Sequence, residues 1–545
     1  MTRERVAYAV ALAALVLLGF YWMPGRTFLQ SDTQIYIPIL ERFRDPSLYP
    51  GDPVAMRPHV TYSIYDEMAL LLRKVTGASS FEPVLLGQQL ATRLCGYLGA
   101  FLIGRAFGLA GPLALLVAAI YGLGATITGP AVLTLEYEPV PRGYAICLLL
   151  LATGLGANGR LMGAAVAAGV AFLYHPPTTL PFLLVFGWLL ARRREWRPAV
   201  VFAAFAGAAF LLSRMQIGES EPQALFERVG PELEKLQRLR GAYNWVSMWG
   251  AQWLRHYEFL FLFAMAAWWR WRGEASREAQ AFLFGFVAYG LASIGLSLAL
   301  LEGARWSLMP AFQPARATAF LVTAACLLSA CGGLLAASRG HWCRGALWLS
   351  VGYALPISYE ALQVLLPDLR SALVAKRFVL MIGFSFLAAG AAWLVGRRSV
   401  LRFPALLAAA VLPFLLIPTW GEVKNYPQLE WETVDSLAAW ARESTPKEAT
   451  FLFADSGKDP YPSIFRAKSL RPVYVDWKGG GQVNLLRNFA DEWWRRWQFA
   501  MEPPFGPERV PELAQAGITH LVLRKEMAGQ EAVWRNGTYW VYRIR

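Results

Sequence analysis

The chain has 545 residues, 56% of them hydrophobic and 17% charged, and its mean hydropathy is +0.35. That balance excludes an ordinary soluble domain and describes a polytopic membrane protein. The formal net charge of +14 requires no nucleic acid, because much of it is arginine placed beside hydrophobic runs, where anionic lipid head groups attract it.

Runs near the length that crosses a roughly 30 Å hydrocarbon core predict thirteen spans, at 6–23, 84–106, 110–129, 143–157, 160–175, 178–191, 198–214, 256–270, 279–301, 317–337, 344–365, 378–396 and 402–420. With the N-terminus inside, every predicted inner turn is basic. These turns hold Arg3 and Arg5, Arg105, Arg160, Arg192 to Arg194 with Arg197, Arg270 with Arg272 and Arg277, Arg339 with Arg344, and Arg397 with Arg398 and Arg402. The positive-inside rule demands this pattern, and one miscounted span would invert it from there onward. An odd count puts residues 421–545 outside, beyond a transmembrane domain at 1–420. The first span ends in Phe20-Tyr21-Trp22-Met23-Pro24 without a small-x-small cleavage site, so it reads as an uncleaved anchor. None of the five cysteines, Cys95, Cys147, Cys326, Cys331 and Cys343, lies in an outer segment, which excludes a disulfide framework.

The first outer loop, 24–83, opens with Gln30-Ser31-Asp32-Thr33-Gln34. Ile35, Ile39 and Phe43 then alternate with charged residues up to Asp45-Pro46, predicting an amphipathic helix in the interface plane that stops at a proline turn. Asp32 reads either as the cap of that helix or as a carboxylate that takes an acceptor's proton or holds a cation. Arg93, beside Gln88 and Gln89 in the second span, should face the bundle interior, because a mid-bilayer charge costs several kcal/mol. Glu136-Tyr137-Glu138 follows the third span. In an extended segment alternate residues face one way, so the two carboxylates either hold one divalent cation such as Mg or Mn or form a solvated pair. Arg142 and Arg316 each precede a span running inward, where a cation opposes the helix dipole. Each therefore needs an anion, either a phosphate gripped bidentately or a neighbouring glutamate. His175-Pro176-Pro177 fixes a turn whose imidazole donates to a phosphate or to a carbonyl. Counted and oriented, Asp32, Glu136, Glu138, Arg142, His175 and Arg316 fall on one membrane face.

The outer segment at 215–255 carries Glu219, Glu221, a helix-like stretch through Leu225, Val229, Leu233 and Leu236, and then Tyr243, Trp245, Trp249 and Trp253. Those aromatics read as an interface belt or a sugar-stacking platform. Beyond residue 420, strand-like runs at 450–454, 472–476, 520–523 and 539–543 and helix-like stretches at 432–443, 483–499 and 508–516 predict a small α/β domain. Its Asp476-Trp477-Lys478-Gly479-Gly480-Gly481 lacks a P-loop's Gly-Lys-Ser/Thr ending and reads as a tight turn or a close approach to a ligand.

A first-loop acid just after the first span, an interfacial helix, an acidic pair between the third and fourth spans and an outer C-terminal domain together resemble the GT-C glycosyltransferase superfamily. The run Asp45 to Pro53, with Phe465-Arg466 and Arg471 to Lys478, is similar to uncharacterised bacterial members. The resemblance implies an inverting transferase that moves a sugar from a polyprenyl-phosphate carrier to a polymer, glycolipid or protein acceptor at the outer face of a bacterial inner membrane. It implies that Asp32 activates the acceptor, that Glu136 and Glu138 bind a metal, and that Arg142, His175 and Arg316 hold the lipid phosphate. Two departures stand out: Thr33 replaces the second acid of mannosyltransferases, and Asp491-Glu492-Trp493-Trp494 is not the Trp-Trp-Asp order of oligosaccharyltransferases. A transporter or flippase, or a non-catalytic part of an envelope-polymer export assembly, are the other readings. An inward cavity lined by Arg93 would mark the former.

Overall fold

The structure is a computed structural model that describes residues 3–57, 63–215, 226–358, 360–366, 371–426, 428–484 and 487–545. Glu219, Glu221 and Leu225 lie outside the described residues. In chain order the helices are α1 (Arg3–Tyr21), α2 (Thr33–Arg44), α3 (Tyr65–Thr76), α4 (Glu82–Ala106), α5 (Gly111–Gly122), α6 (Pro141–Ala157), α7 (Leu161–Tyr174), α8 (Pro176–Arg193), α9 (Arg197–Met215), α10 (Pro231–Arg240), α11 (Ala251–Trp271), α12 (Arg277–Ser297), α13 (Met309–Phe312), α14 (Thr318–Ser338), α15 (Trp342–Ile357), α16 (Ala361–Leu365), α17 (Ala372–Gly396), α18 (Arg402–Thr419), α19 (Glu432–Ser444), α20 (Tyr461–Ser469), α21 (Arg487–Met501) and α22 (Val510–Gln515).

Every predicted span falls on a helix. Six helices among the described residues are long and apolar enough to cross a membrane, and α5, α6 and α7 are shorter apolar helices. The chain is therefore a multi-pass helical membrane protein. Two spans stop early. The 110–129 run ends at Gly122, where Gly124 takes a left-handed φ of 72°, and the chain turns into a hairpin of β1 (Thr126–Ile127) and β2 (Val132–Leu133). The 344–365 run breaks after Pro356 and Ile357, at an extended Ser358, before α16. The bundle packs tightly where side chains are small. A Cβ on Gly99 of α4 would strike the Leu150 carbonyl of α6, and one on Gly154 would strike that of Gly99. This close approach joins the later parts of the two helices, and the Tyr144 hydroxyl, donating to the Leu85 carbonyl at 2.8 Å, fixes the start of α6, and with it Arg142, against the top of α4.

The 24–83 loop, expected as the first outer one, is not a lipid-facing amphipathic element throughout. In α2 every residue from Thr33 to Glu41 is buried, because protein covers the face that was expected to meet lipid. The second helix of that loop, α3, exposes Leu71 and Val75 instead.

Beyond α18 the chain forms a four-stranded sheet in the order β3-β4-β6-β5, from β3 (Phe451–Phe453), β4 (His520–Leu523), β5 (Trp534–Arg535) and β6 (Trp540–Arg543). The β3–β4 pair is parallel and the others antiparallel. The expected strand at 472–476 is only a single bridge between Phe451 and Val473. The bridge is made by the Phe451 N–H to the Pro472 carbonyl and the Tyr474 N–H to the Phe451 carbonyl, both at 2.9 Å, while the Val473 N–H on the far edge donates to the Asp52 carboxylate at 2.9 Å. Helix α20 was not anticipated. It carries Arg466, whose fully buried guanidinium pairs with Asp52 at 2.7 Å and also with Asp476. Asp52 belongs to the first outer loop, so this buried triad locks the C-terminal domain onto it.

Candidate functional site

The loop ahead of α2 is shaped by Glu138. Its Oε1 accepts from the N–H groups of Gln30 and Ser31, both at 2.7 Å, and from the Thr33 hydroxyl at 2.9 Å. Its Oε2 accepts from the Thr33 N–H at 3.0 Å. An acceptor-only group meeting four donors satisfies the orphan amides of a helix start, so Glu138 supplies the cap of α2. Asp32 stands at the cap position but makes no side-chain cap bond. Arg93 and Gln89 hold the other side of the loop: Arg93 Nη2 donates to the Gly25 and Glu136 carbonyls at 2.7 Å each, and Gln89 Nε2 to the latter at 2.9 Å.

Freed from capping, Asp32 projects into an ion-pair chain. Oδ2 accepts from Arg142 Nη1 at 2.8 Å and Oδ1 from Lys478 Nζ at 2.9 Å. Arg142 continues to Glu136, Nε donating to Oε1 at 2.7 Å. Burial pushes the Asp32 carboxyl up, but the Lys478 ammonium and the Arg142 guanidinium outweigh it and hold the group far below the usual carboxylate range. Burial and the charge of Asp32 push Glu138 the other way, against its N–H donors.

Lys478 arrives from the C-terminal domain. The Asp476 carboxylate accepts from the Gly479 N–H at 2.7 Å, which closes the turn that carries the lysine. Gly480 packs flat on Trp493, and a Cβ there would enter the indole ring. The glycine run is thus a tight turn, and its close approach is to the Trp493 indole; it continues as a short 3-10 helix, Gly479–Asn484.

Asp32, Glu136, Arg142, His175, Arg316 and Lys478 line one polar cavity of about 350 Å³. A second cavity of about 380 Å³ adjoins it. This one is apolar, walled by side chains such as Ile146 of α6, Leu180 of α8, Leu296 of α12 and Phe320 of α14. A π-helical turn at Leu298–Gly303 extends α12 along the wall, and Leu180, Leu296 and Phe312 are exposed. Arg142, His175 and Arg316 line both cavities. His175 Nδ1 accepts from the Thr178 N–H at 3.2 Å, which places the proton of a neutral imidazole on Nε2 as a donor. Arg316 stacks on Tyr243 at 5.3 Å. Its buried Nε has no partner, and no carboxylate pairs with it among the described residues.

Five of the six residues singled out from the sequence therefore meet around one cavity. Glu138 stands behind the wall. Glu136 pairs with Arg142 and Glu138 accepts from the loop amides, and among the described residues no group of three or more His, Cys, Asp or Glu side chains is placed to hold a metal ion. Lys478, Arg240, Tyr243, Gln482 and Asn484 complete the lining. Lys478 stood out in its glycine run and Tyr243 among the aromatics of the 215–255 segment, whereas nothing local pointed to Arg240, Gln482 or Asn484. Arg93, whose Nη2 is given to two loop carbonyls, props the site from beneath.

A family described as a domain of unknown function (DUF6798) matches residues 432–499, the stretch that contains Lys478, Gln482 and Asn484. No curated protein matches the chain. Among solved structures, the chain is similar to ArnT from Cupriavidus metallidurans, crystallised bound to undecaprenyl phosphate, with 14% identity and a TM-score of 0.43 over 99% of this chain and 98% of that one. It is also similar to the arabinofuranosyltransferase AftD from Mycobacteria, with 14% identity and a TM-score of 0.42 over 97% of this chain and 36% of that one. The chain thus spans about a third of AftD's length.

Proposed function

We propose that the chain is a GT-C-type glycosyltransferase that moves a sugar from a polyprenyl-phosphate carrier to a hydroxyl acceptor at the outer face of the membrane. The observation that carries this reading is the junction of the two cavities. An apolar groove meets a polar chamber at Arg142, His175 and Arg316, and among the described residues no carboxylate pairs with Arg316. A molecule with a long apolar tail, a phosphate and a polar head fits that order of environments. The tail lies between α6, α8, α12 and α14, the phosphate sits on the arginines, and the sugar enters the chamber beside Asp32.

In the reaction the bond between the sugar's anomeric carbon and the phosphate oxygen breaks, and a bond from the acceptor oxygen to that carbon forms from the opposite face. The phosphate leaves with the electron pair, so its charge grows. Arg316, Arg142 and the Nε2–H of His175 are donors fixed in advance for that charge. The acceptor hydroxyl's proton passes to Asp32. Its present low basicity, set by two cations, suits orienting the hydroxyl, and release of Lys478 makes it a better base. A transporter would need its charged groups near the midplane, whereas Arg93, the charge buried deepest in the expected spans, is tied to loop carbonyls.

The test is sugar release from radiolabelled polyprenyl-phosphate sugars in liposomes, comparing wild type with Asp32→Asn. Turnover in the wild type and its loss in a folded mutant that still binds carrier supports the assignment. Equal turnover removes Asp32 from the mechanism, and no turnover with any donor overturns the reading.

A further inference from the structure

The polar chamber holds more recognition chemistry than a phosphate and a base require. Gln482 and Asn484 from the C-terminal domain line it and are buried, at 8% and 5% exposure. Among the described residues, Gln482 Oε1 has no hydrogen-bond partner, and neither do Asn484 Nδ2 and Oδ1. Beside them Arg240 gives Nη2 to the Trp477 carbonyl at 2.6 Å and has a buried Nε without a partner among the described residues. Buried amides without partners are costly, and a ligand rich in hydroxyls, each both donor and acceptor, satisfies them. The charged lining sets four cations, Arg142, Arg240, Arg316 and Lys478, against Asp32 and Glu136, an excess of two. A sugar phosphodiester brings one negative charge, and the proton that the acceptor gives to Asp32 offsets the charge the departing phosphate gains. One positive charge therefore stays in excess throughout and disfavours a cationic sugar.

We infer that Gln482 and Asn484, together with Arg240, form the pocket for the transferred sugar, and that this sugar is hydroxyl-rich and carries no positive charge. The matched 432–499 segment thereby sets donor specificity. This inference rests on the glycosyltransferase reading.

Both are tested by binding to the full-length protein in nanodiscs. The probes are undecaprenyl methyl phosphate as the sugar-free single-charge control, and undecaprenyl-phosphate-linked glucose, aminoarabinose and glucuronic acid. The expected result is that the glucose donor binds about tenfold to a hundredfold tighter than the methyl control. The amino sugar should gain less, and Asn484→Ala and Gln482→Ala should erase the gain while affinity for the methyl control stays unchanged. Should either variant melt early, Gln482→Glu keeps the side-chain volume and decides the matter by shifting preference toward the amino sugar. Binding of the control with no gain from glucose, a larger gain from the amino sugar than from glucose, or an undiminished gain in the folded variants overturns the sugar pocket alone. No binding of any probe to the wild type overturns the glycosyltransferase reading and the pocket with it.

Discussion

Asp32 is a carboxylate whose charge is held by two cations that do different work. Arg142 also serves Glu136 and lines both cavities, whereas the Nζ of Lys478 hydrogen-bonds only Asp32 and the neighbouring Ser31 hydroxyl. A carboxyl held below its unfolded value of about 4 adds stability above that pH and loses it as the pH falls through the folded value. Wild-type activity should accordingly show no acid limb from Asp32 in the mildly acidic range. In Lys478→Met one of the two cations is gone, the carboxyl rises, and the acid limb of kcat/KM should move to higher pH. An unmoved limb would mean that Lys478 does not set the protonation of Asp32. Glu138 makes a contrasting prediction. Replacing it with Gln removes the charge that four loop donors share and should cost about 2 kcal/mol of stability, read by thermal melting. Because that carboxylate is already satisfied, a chelator should leave turnover unchanged, and restoration of lost activity by Mg or Mn would contradict the assignment.

At the scale of elements, the decisive connection is the buried Asp52–Arg466–Asp476 triad. It joins the first outer loop to α20 and to the turn ahead of Lys478. Removing one partner of such a group leaves buried charge uncompensated, which costs about 3–5 kcal/mol. Arg466→Met should sharply lower the yield of folded protein, whereas Lys468→Ala, which removes a partly exposed pair with Asp435, should cost under about 1 kcal/mol. Gly480→Ala should cost about 1–3 kcal/mol through overpacking on Trp493 and displace Lys478 from Asp32. This network also explains what the sequence could and could not reveal. Asp32, Glu136, Arg142, His175 and Arg316 were legible because polar residues are scarce beside long apolar runs, and counting those runs brings them to one face. Glu138 was visible for the same reason, yet its role was not, because local alternation says where a side chain points and nothing about which amides surround it. Lys478, Gln482 and Asn484 reach the site across separations such as the 446 residues between Lys478 and Asp32. Contacts between distant segments, the triad and the Arg240 bond to the Trp477 carbonyl among them, set that registration, and no local pattern encodes it.

For the whole molecule, the site's chemistry depends on which face it occupies, and the bundle offers a native reporter of that. Helix α14 starts at Thr318, two residues after Arg316, and runs 21 residues to Ser338, about 30 Å at 1.5 Å per residue. That is one hydrocarbon thickness, and α14 is buried along nearly its whole length. The turn at its far end carries Arg339 and Arg344 and, in the first turn of α15, Cys343, the one exposed cysteine of the five. If the arginine-rich turns are cytoplasmic, a membrane-impermeant maleimide should label Cys343 in inverted vesicles and not in right-side-out ones. A cysteine introduced by Lys458→Cys in the C-terminal domain should show the reverse. The reasoning is chemical as well as topological: a lipid donor can enter sideways between α6, α8, α12 and α14 from either leaflet, but a water-borne acceptor reaches Asp32 only from the side that bears the C-terminal domain. Labelling of both cysteines from the same side would break the α14 crossing, and labelling of Cys343 from outside would turn the site, and the source of its acceptor, to the cytoplasm.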